Sequence, residues 1–195
     1  MTLIIILIII FVIWYLFFYQ YVHYVVSSID NNTYIIRRNG MSKSGLMESA
    51  DTLAIINARI LKLIDHLNSI NTDTGVPIKY LTKNYNHSIL SEAFVDKNYT
   101  TFTVDKESIH ICLRTRDTND KIYDINTLMY VILHELAHLC NYDTNGRPIY
   151  GHGIEFLRIF KAIVQESIKI NIYTYQNYQT RPLEYCGLQI SSQIV

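Results

Sequence analysis

The sequence lacks an excess of charge of either sign. Its 195 residues include 17 Lys and Arg side chains and 17 Asp and Glu side chains, so the formal net charge at pH 7 is zero. Proteins that bind nucleic acid need a basic stripe or patch to meet the phosphate backbone, and none is visible here. We therefore expect no nucleic-acid partner. The length is sufficient for one ordinary domain with a hydrophobic core.

Cysteine is also scarce. The chain has three cysteines, Cys112, Cys140 and Cys186, which are far apart and form no C-x-x-C pair. This odd number, at these spacings, predicts neither a disulfide framework nor a cysteine zinc site. Cys140 lies two positions after His138, so on a helix it points to roughly the opposite face, and we expect it to be buried packing.

Charge is missing altogether from residues 2–28, and residues 3–18 are all apolar or aromatic. A helix over residues 3–26 would exceed the roughly 30 Å hydrocarbon core of a bilayer. The segment has neither the charged start nor the small-residue cleavage site of a signal peptide. The pattern predicts a retained transmembrane helix in residues 1–27, with the lipid bilayer as its partner through residues 3–26.

The nearest cations follow this segment, so the positive-inside rule predicts a single-pass membrane protein with a cytosolic C-terminal domain. Residues 28–44 are polar and lack periodicity, which predicts a linker. The folded domain is then expected to occupy residues 45–195.

The sequence His134-Glu135-Leu136-Ala137-His138 is the strongest indication of chemistry. Residues at i and i+4 lie on one face of a helix, so His134 and His138 are placed to bind one metal ion. Glu135 lies one position further round and is placed to act on a water molecule. The H-E-x-x-H pattern on a helix is typical of zinc hydrolases, with two nitrogen ligands and a carboxylate that exchanges protons.

A catalytic zinc site needs a third protein ligand and an open position for water. Metzincin spacing would require a glycine where Asn141 stands and a histidine where Thr144 stands, so that class is excluded. The best candidate is His152, because the glycines on both sides of it allow the backbone to turn sharply. Glu155 is the alternative ligand.

A donor for the developing oxyanion is less well defined by the sequence. Tyr185 is a candidate for this role, as are Tyr175 and Tyr178. The chain has 16 tyrosines, so packing is the default interpretation for each of them.

Apolar spacing predicts a helix over Leu46–Leu67, capped by Ser42 or Ser44, and a motif helix capped by Asp124 or Asn126 that runs to about Cys140. Alternation predicts a hairpin of Thr100–Val104 and Ser108–Leu113. We hypothesise that one strand of this hairpin pairs with an extended peptide substrate, as edge strands do.

The H-E-x-x-H sequence followed by His152-Gly153-Ile154-Glu155-Phe156 resembles the SprT-like and WLM-domain metallopeptidases. That resemblance covers about residues 122–164. It implies an α+β, zincin-like domain, with His134, His138 and His152 as ligands of Zn²⁺ and Glu135 as general base. Spartan-type members act on proteins crosslinked to DNA, but this chain has neither a basic tail nor zinc-finger cysteines.

The sequence therefore predicts a membrane-anchored zinc metalloendopeptidase that hydrolyses peptide bonds of a peptide or protein substrate, with Glu135 as general base for the water that zinc activates. Two alternatives remain open. One is a catalytically silent zinc domain that binds a partner. The other is a protease of DNA–protein crosslinks, for which the neutral charge predicts only weak DNA binding.

Overall fold

Two sheets and five α-helices make up the part of the chain that the structure describes. This computed structural model describes residues 2–19, 22–37, 41–70, 74–94, 100–117, 119–192 and 194–195. The helices are α1 (Thr2–Tyr19), α2 (Lys43–Ser69), α3 (Ile78–Asn84), α4 (Ile125–Cys140) and α5 (Ile154–Lys169). The strands are β1 (Val22–Val26), β2 (Thr33–Arg37), β3 (Leu90–Glu92), β4 (Phe102–Val104), β5 (Ser108–Ile111), β6 (Leu183–Tyr185) and β7 (Leu188–Ile190). The fold is of the α+β class.

The larger sheet has five strands in the order β1-β2-β3-β5-β4. The pairs β1–β2 and β4–β5 are antiparallel, whereas β2–β3 and β3–β5 are parallel. The predicted hairpin is therefore confirmed as β4 and β5, and β4 lies at the edge of the sheet. The strands β6 and β7 form a separate antiparallel hairpin near the C-terminus.

The core lies between one face of this sheet and the helices. Alternate residues of the strands point into it, including Tyr34 and Ile36 of β2 and Ile109 and Ile111 of β5. α2 covers this face of the sheet and also contacts α4. The cap of α2 is Ser42, whose hydroxyl accepts the N–H of Gly45 at 3.2 Å.

α4 is the central helix of the fold. Most of its side chains are buried, and it contacts α2, α3, α5 and β4. The carboxylate of Asp124 caps it by accepting the N–H groups of Asn126 and Thr127, both at 3.0 Å. The helix ends at Cys140, as the sequence predicts, and the Cys140 thiol is free and fully buried.

The predicted transmembrane anchor is wrong. α1 ends at Tyr19, residues 20 and 21 lie outside the described part, and Val22–Val26 form a strand of the main sheet. Among the described residues, no helix combines the length and apolarity needed to cross a membrane. The transmembrane anchor at residues 1–27 and the single-pass membrane location are corrected accordingly.

The predicted linker at residues 28–44 is also wrong, because β2 lies inside it. Tyr34 and Ile36 are buried in the core, and the Arg37 guanidinium donates to the buried Glu92 carboxylate at 3.1 Å. The polar residues before β2 form its turn from β1, closed by a hydrogen bond from Ser27 N to Asn32 O at 2.9 Å. A turn and a linker are both exposed to water and are therefore both polar, so composition alone did not distinguish a turn from a linker here. The folded domain starts at β1, not at residue 45.

A disulfide joins Cys112 and Cys186, with the Cα atoms 6.5 Å apart. This corrects the expectation that the cysteines form no disulfide. The two residues are separated by 74 positions, so only the tertiary fold brings them together. The bond attaches the β6–β7 hairpin to the chain directly after β5.

Candidate metal centre

Three imidazole nitrogens, from His134, His138 and His152, lie close together at a surface cavity. The Nε2 atom of His152 lies 3.0 Å from that of His134 and 3.1 Å from that of His138. α4 places His134 and His138 one turn apart on one face, which is the geometry that their spacing predicts. His152 comes from the loop between α4 and α5, so the cluster joins a rigid helix to a loop.

The two glycines beside His152 have different roles. Gly151 has φ +80°, a left-handed conformation that favours glycine, and it turns the chain towards α4. Gly153 has an extended backbone and is the N-cap residue of α5. The sharp turn expected from the sequence is therefore made at Gly151 alone.

The donor set and spacing fit one zinc ion. Tetrahedral zinc with Zn–N bonds of about 2.0–2.1 Å holds its ligand nitrogens about 3.3 Å apart. Hydrogen bonds satisfy this cluster poorly, because His152 Nε2 faces two other nitrogens and carries at most one hydrogen. A cation at the centre would accept all three lone pairs. The same three histidines form the candidate metal-ligating group within the described residues.

The environment keeps the helical histidines in the neutral form that binds metals. Burial, reinforced by repulsion from His138 and His152, lowers the pKa of His134 to about 3. Burial, together with His152 and Lys106, lowers the pKa of His138 to about 4. Both imidazoles are therefore uncharged at neutral pH, with a lone pair available.

Phe156 forms the floor beneath the cluster. Its ring centroid lies 4.8 Å from that of His134, 4.3 Å from that of His138 and 4.8 Å from that of His152. The side chain is 1% exposed and is held on the first turn of α5. The spacing from His152-Gly153 places the Phe156 ring on the first turn of α5, in contact with all three imidazoles.

Glu135 is buried next to the three histidines. It is 4% exposed, and burial raises the pKa of its carboxyl to about 7, an effect that hydrogen bonds from Thr103 oppose. The Thr103 hydroxyl donates to Glu135 Oε2 at 2.6 Å. A carboxyl with a pKa near neutrality both accepts and returns a proton readily. Thr103 had no signal in the sequence beyond its place on the predicted hairpin.

Two cavities meet at the cluster. One, of about 320 Å³, is lined by all three histidines, Glu135, β4 and the loop before His152. The other, of about 280 Å³, is lined by His134, Glu135, Phe160 and the β6–β7 hairpin with the residues after it. Glu135 and Thr101 border both cavities, so the region has space for a ligand on each side of the carboxylate.

The alternative candidates lie elsewhere or are engaged. The Glu155 carboxylate pairs with Arg158 on the surface, at 2.6 Å, and does not join the histidine group. Tyr185 lines the second cavity, but its buried hydroxyl lies 2.7 Å from the Cys112 carbonyl and 2.6 Å from Thr101 Oγ1. Both hydrogen bonds of that hydroxyl are made within the protein, so it does not point to a role as an oxyanion donor. Tyr175 and Tyr178 line a separate cavity with Asp124.

Comparison with known proteins identifies relatives in viruses. The chain is 38% identical over 177 residues to uncharacterized protein R325 of Acanthamoeba polyphaga mimivirus, covering 88% of this chain and 84% of the relative. The chain belongs to the family of this mimivirus protein.

Two further relatives come from iridescent viruses. Uncharacterized protein 136R of invertebrate iridescent virus 6 is 30% identical over 105 residues, and uncharacterized protein 042R of invertebrate iridescent virus 3 is 36% identical over 102. Each alignment covers 52% of this chain and about half of the relative, 53% and 58% respectively.

No family model and no solved structure matches the chain. The comparison therefore gives no support to the zincin-like part of the predicted fold class, and the observed fold stands as α+β. The names of these relatives assign no activity.

Proposed function

We propose that this protein is a zinc-dependent metallopeptidase. The observation that carries the proposal is the convergence of three imidazole nitrogens, 3.0 and 3.1 Å apart, beside a buried carboxyl group. His134, His138 and His152 would hold the ion, and Glu135 would serve as general base. The H-E-x-x-H and H-G-x-x-F motifs, which resemble those of SprT-like and WLM-domain peptidases, supply these residues.

A zinc ion held by the three histidines would act as a Lewis acid, lowering the pKa of a water molecule towards about 7 and polarising a carbonyl group. Glu135 takes the proton from the attacking water and returns it to the leaving amine. Burial raises the pKa of its carboxyl to about 7, which suits both transfers at neutral pH. Thr103 holds one carboxylate oxygen, so the other is left to face the reacting atoms.

An extended peptide fits the surroundings of the site. β4 is the edge strand of the sheet, and Thr103 at its centre contacts Glu135. A substrate strand that pairs with the open edge of β4 would pass beside the carboxyl group. The two cavities would then receive side chains from either side of the bond that is cut.

The decisive experiment compares the wild-type protein with Glu135→Gln in zinc content and in cleavage of an unstructured protein such as casein. We expect the variant to keep its zinc and to lose about 10²–10⁴-fold in kcat/KM, which is the usual contribution of a general base. Glu155→Gln is the matched control, because its carboxylate lies on the surface in a pair with Arg158. It should retain both zinc and activity.

Three results would count against the proposal. Absence of bound zinc in the wild type would remove its basis. Zinc binding without cleavage would favour a silent zinc domain. Full activity in Glu135→Gln would show that Glu135 is not the base.

A further inference from the structure

A buried lysine adjoins the histidine cluster without belonging to it. Lys106 lies in the turn between β4 and β5, is 6% exposed, and borders the cavity that contains the three histidines. Its φ of +62°, with the +49° of Asp105, forms the tight turn of this hairpin, which a hydrogen bond from Glu107 N to Val104 O closes at 2.9 Å. The turn explains the backbone conformation, but it does not explain why the charged side chain is buried beside the histidines.

The ammonium group of Lys106 joins two segments of backbone. It donates to the carbonyl oxygen of His138, in the last turn of α4, and to that of Ile149 at 3.4 Å. It also lies over the rings of Tyr142, at 4.9 Å, and Tyr150, at 5.6 Å. Its charge is thus directed at the end of α4 and at the loop that leads to His152.

Ion pairing does not explain this placement. Among the described residues, the salt bridges involve arginines, His66 and Lys169, and no carboxylate pairs with Lys106. Burying a cation is costly unless its donors are satisfied. Here two backbone carbonyls accept hydrogen bonds from the ammonium group, and two aromatic rings lie against it.

We infer that Lys106 is the positioning residue for the third metal ligand, an inference that rests on the proposed zinc site. The separation of His134 and His138 is fixed by α4, whereas His152 belongs to an exposed loop. Lys106 binds the end of the helix and the loop three residues before His152. It thereby sets the distance between the loop and the helix, and so the place of His152 Nε2.

The test measures zinc affinity by competition with a chromophoric chelator in the full-length protein. Lys106→Met keeps the length of the stem and removes the donors, and we expect affinity to fall about 10–100-fold, as when other residues that orient metal ligands are lost. The visible spectrum of the cobalt-substituted variant should shift towards that of His152→Ala. Lys161→Met, an exposed lysine on α5, is the control and should change neither.

A double-mutant cycle separates positioning from general destabilisation. Lys106→Met added to His152→Ala should cause no further loss of affinity, because the ligand through which Lys106 acts is already absent. The same fold-loss in both backgrounds would overturn the inference. Lys106→Arg, which keeps charge and donors, should restore part of the affinity.

A second variant keeps the test valid if Lys106→Met does not fold. Tyr150→Leu removes one ring beneath the ammonium from a residue that is 67% exposed, and we expect a smaller loss of affinity that also disappears in the His152→Ala background. Wild-type protein without zinc would refute the proposed function as well. If His152→Ala weakens zinc binding and the Lys106 and Tyr150 variants do not, only the positioning role fails.

Discussion

At the scale of single residues, burial determines which chemistry each side chain supports. Burial lowers the pKa of His134 and His138, so both are neutral, and raises the pKa of Glu135, so its proton is exchangeable near pH 7. The H-E-x-x-H pattern specifies these residue types but not their protonation. The apolar side chains packed around α4 provide surroundings of low polarity. These surroundings shift the pKa values of all three side chains in the directions that a hydrolytic site would require.

The choice between His152 and Glu155 as third ligand is testable at this scale. We expect His152→Ala to weaken zinc binding by at least about 100-fold, more than the loss of a supporting residue would. Glu155→Ala should have no effect, because its carboxylate pairs with Arg158 instead of joining the cluster. Chelator competition on the two variants provides the measurement. A loss in Glu155→Ala as large as that in His152→Ala, or larger, would contradict the choice of His152 over Glu155.

His110 predicts a pH dependence of stability. It lies on β5 between the hydroxyls of Ser91, at 2.8 Å, and Ser108, at 3.1 Å, and burial lowers its pKa below the usual 6.5. The unfolded chain therefore binds a proton at a higher pH than the folded chain does. Below about pH 6.5 this difference favours unfolding, so the contribution of neutral His110 is present at higher pH and is lost as the pH falls.

The measurement compares the free energy of unfolding of wild type and His110→Gln, with saturating zinc, between pH 7.5 and pH 5. The stability of the wild type relative to the variant should decrease as the pH falls. Titrating groups common to both proteins cancel in this difference. If the stability of the wild type relative to the variant increased as the pH fell, the fold would be stabilising the imidazolium form of His110.

At the scale of elements, α4 supplies two of the proposed ligands and the proposed base, and three other segments contribute to the candidate site. β4 contributes Thr103, the turn after it contributes Lys106, and the loop before α5 contributes His152. The β6–β7 hairpin forms a wall of the second cavity and is attached to the sheet by the Cys112–Cys186 disulfide. Its anchoring therefore affects both stability and the shape of the site.

Loss of this disulfide should destabilise the protein. Because the bond closes a long loop of 74 residues, we expect reduction, or Cys112→Ala with Cys186→Ala, to lower the free energy of unfolding by about 2–4 kcal/mol. Denaturant unfolding with and without a reducing agent measures the effect. The double variant is its own control, because the reducing agent should not change it further. Equal stability of the oxidised and reduced wild type would contradict the prediction.

At the scale of the whole molecule, the folded unit extends from β1 to the C-terminal residues. The described side chains of α1, residues 4–15, are all exposed, and none belongs to the core. In contrast, β2 contributes Tyr34 and Ile36 to the core and Arg37 to the ion pair with Glu92. The boundary between dispensable and essential sequence therefore falls before β1.

Two truncated proteins test this boundary. Residues 22–195 should fold and bind zinc with the affinity of the full chain, because α1 contributes no described side chain to the core. Residues 45–195 should not fold, since losing large core side chains costs about 2–5 kcal/mol each and Glu92 would lose its partner Arg37. Circular dichroism and thermal melting distinguish the outcomes. A folded 45–195 fragment would show that β1 and β2 are accessory.

Local patterns were sufficient for much of the fold. The 3.6-residue period predicted α2 and α4, their caps at Ser42 and Asp124 were among the candidates, and alternation predicted the β4–β5 hairpin. These features depend on residues close together in the chain. The error at the N-terminus has the same origin, because an apolar run rich in isoleucine and valine suits a helix or a strand equally well.

By itself, the sequence determined that two histidines lie one helical turn apart on the same face, with a glutamate beside the first, since spacing along a helix is fixed by backbone geometry. It also pointed to His152, but the meeting of this residue with the other two required the loop to fold back onto α4. Only the tertiary structure decided that β1 and β2 complete the sheet, that Cys112 meets Cys186, and that Thr103 and Lys106 reach the site. Those contacts join residues far apart in the chain, and long-range packing, which no local pattern encodes, brings them together.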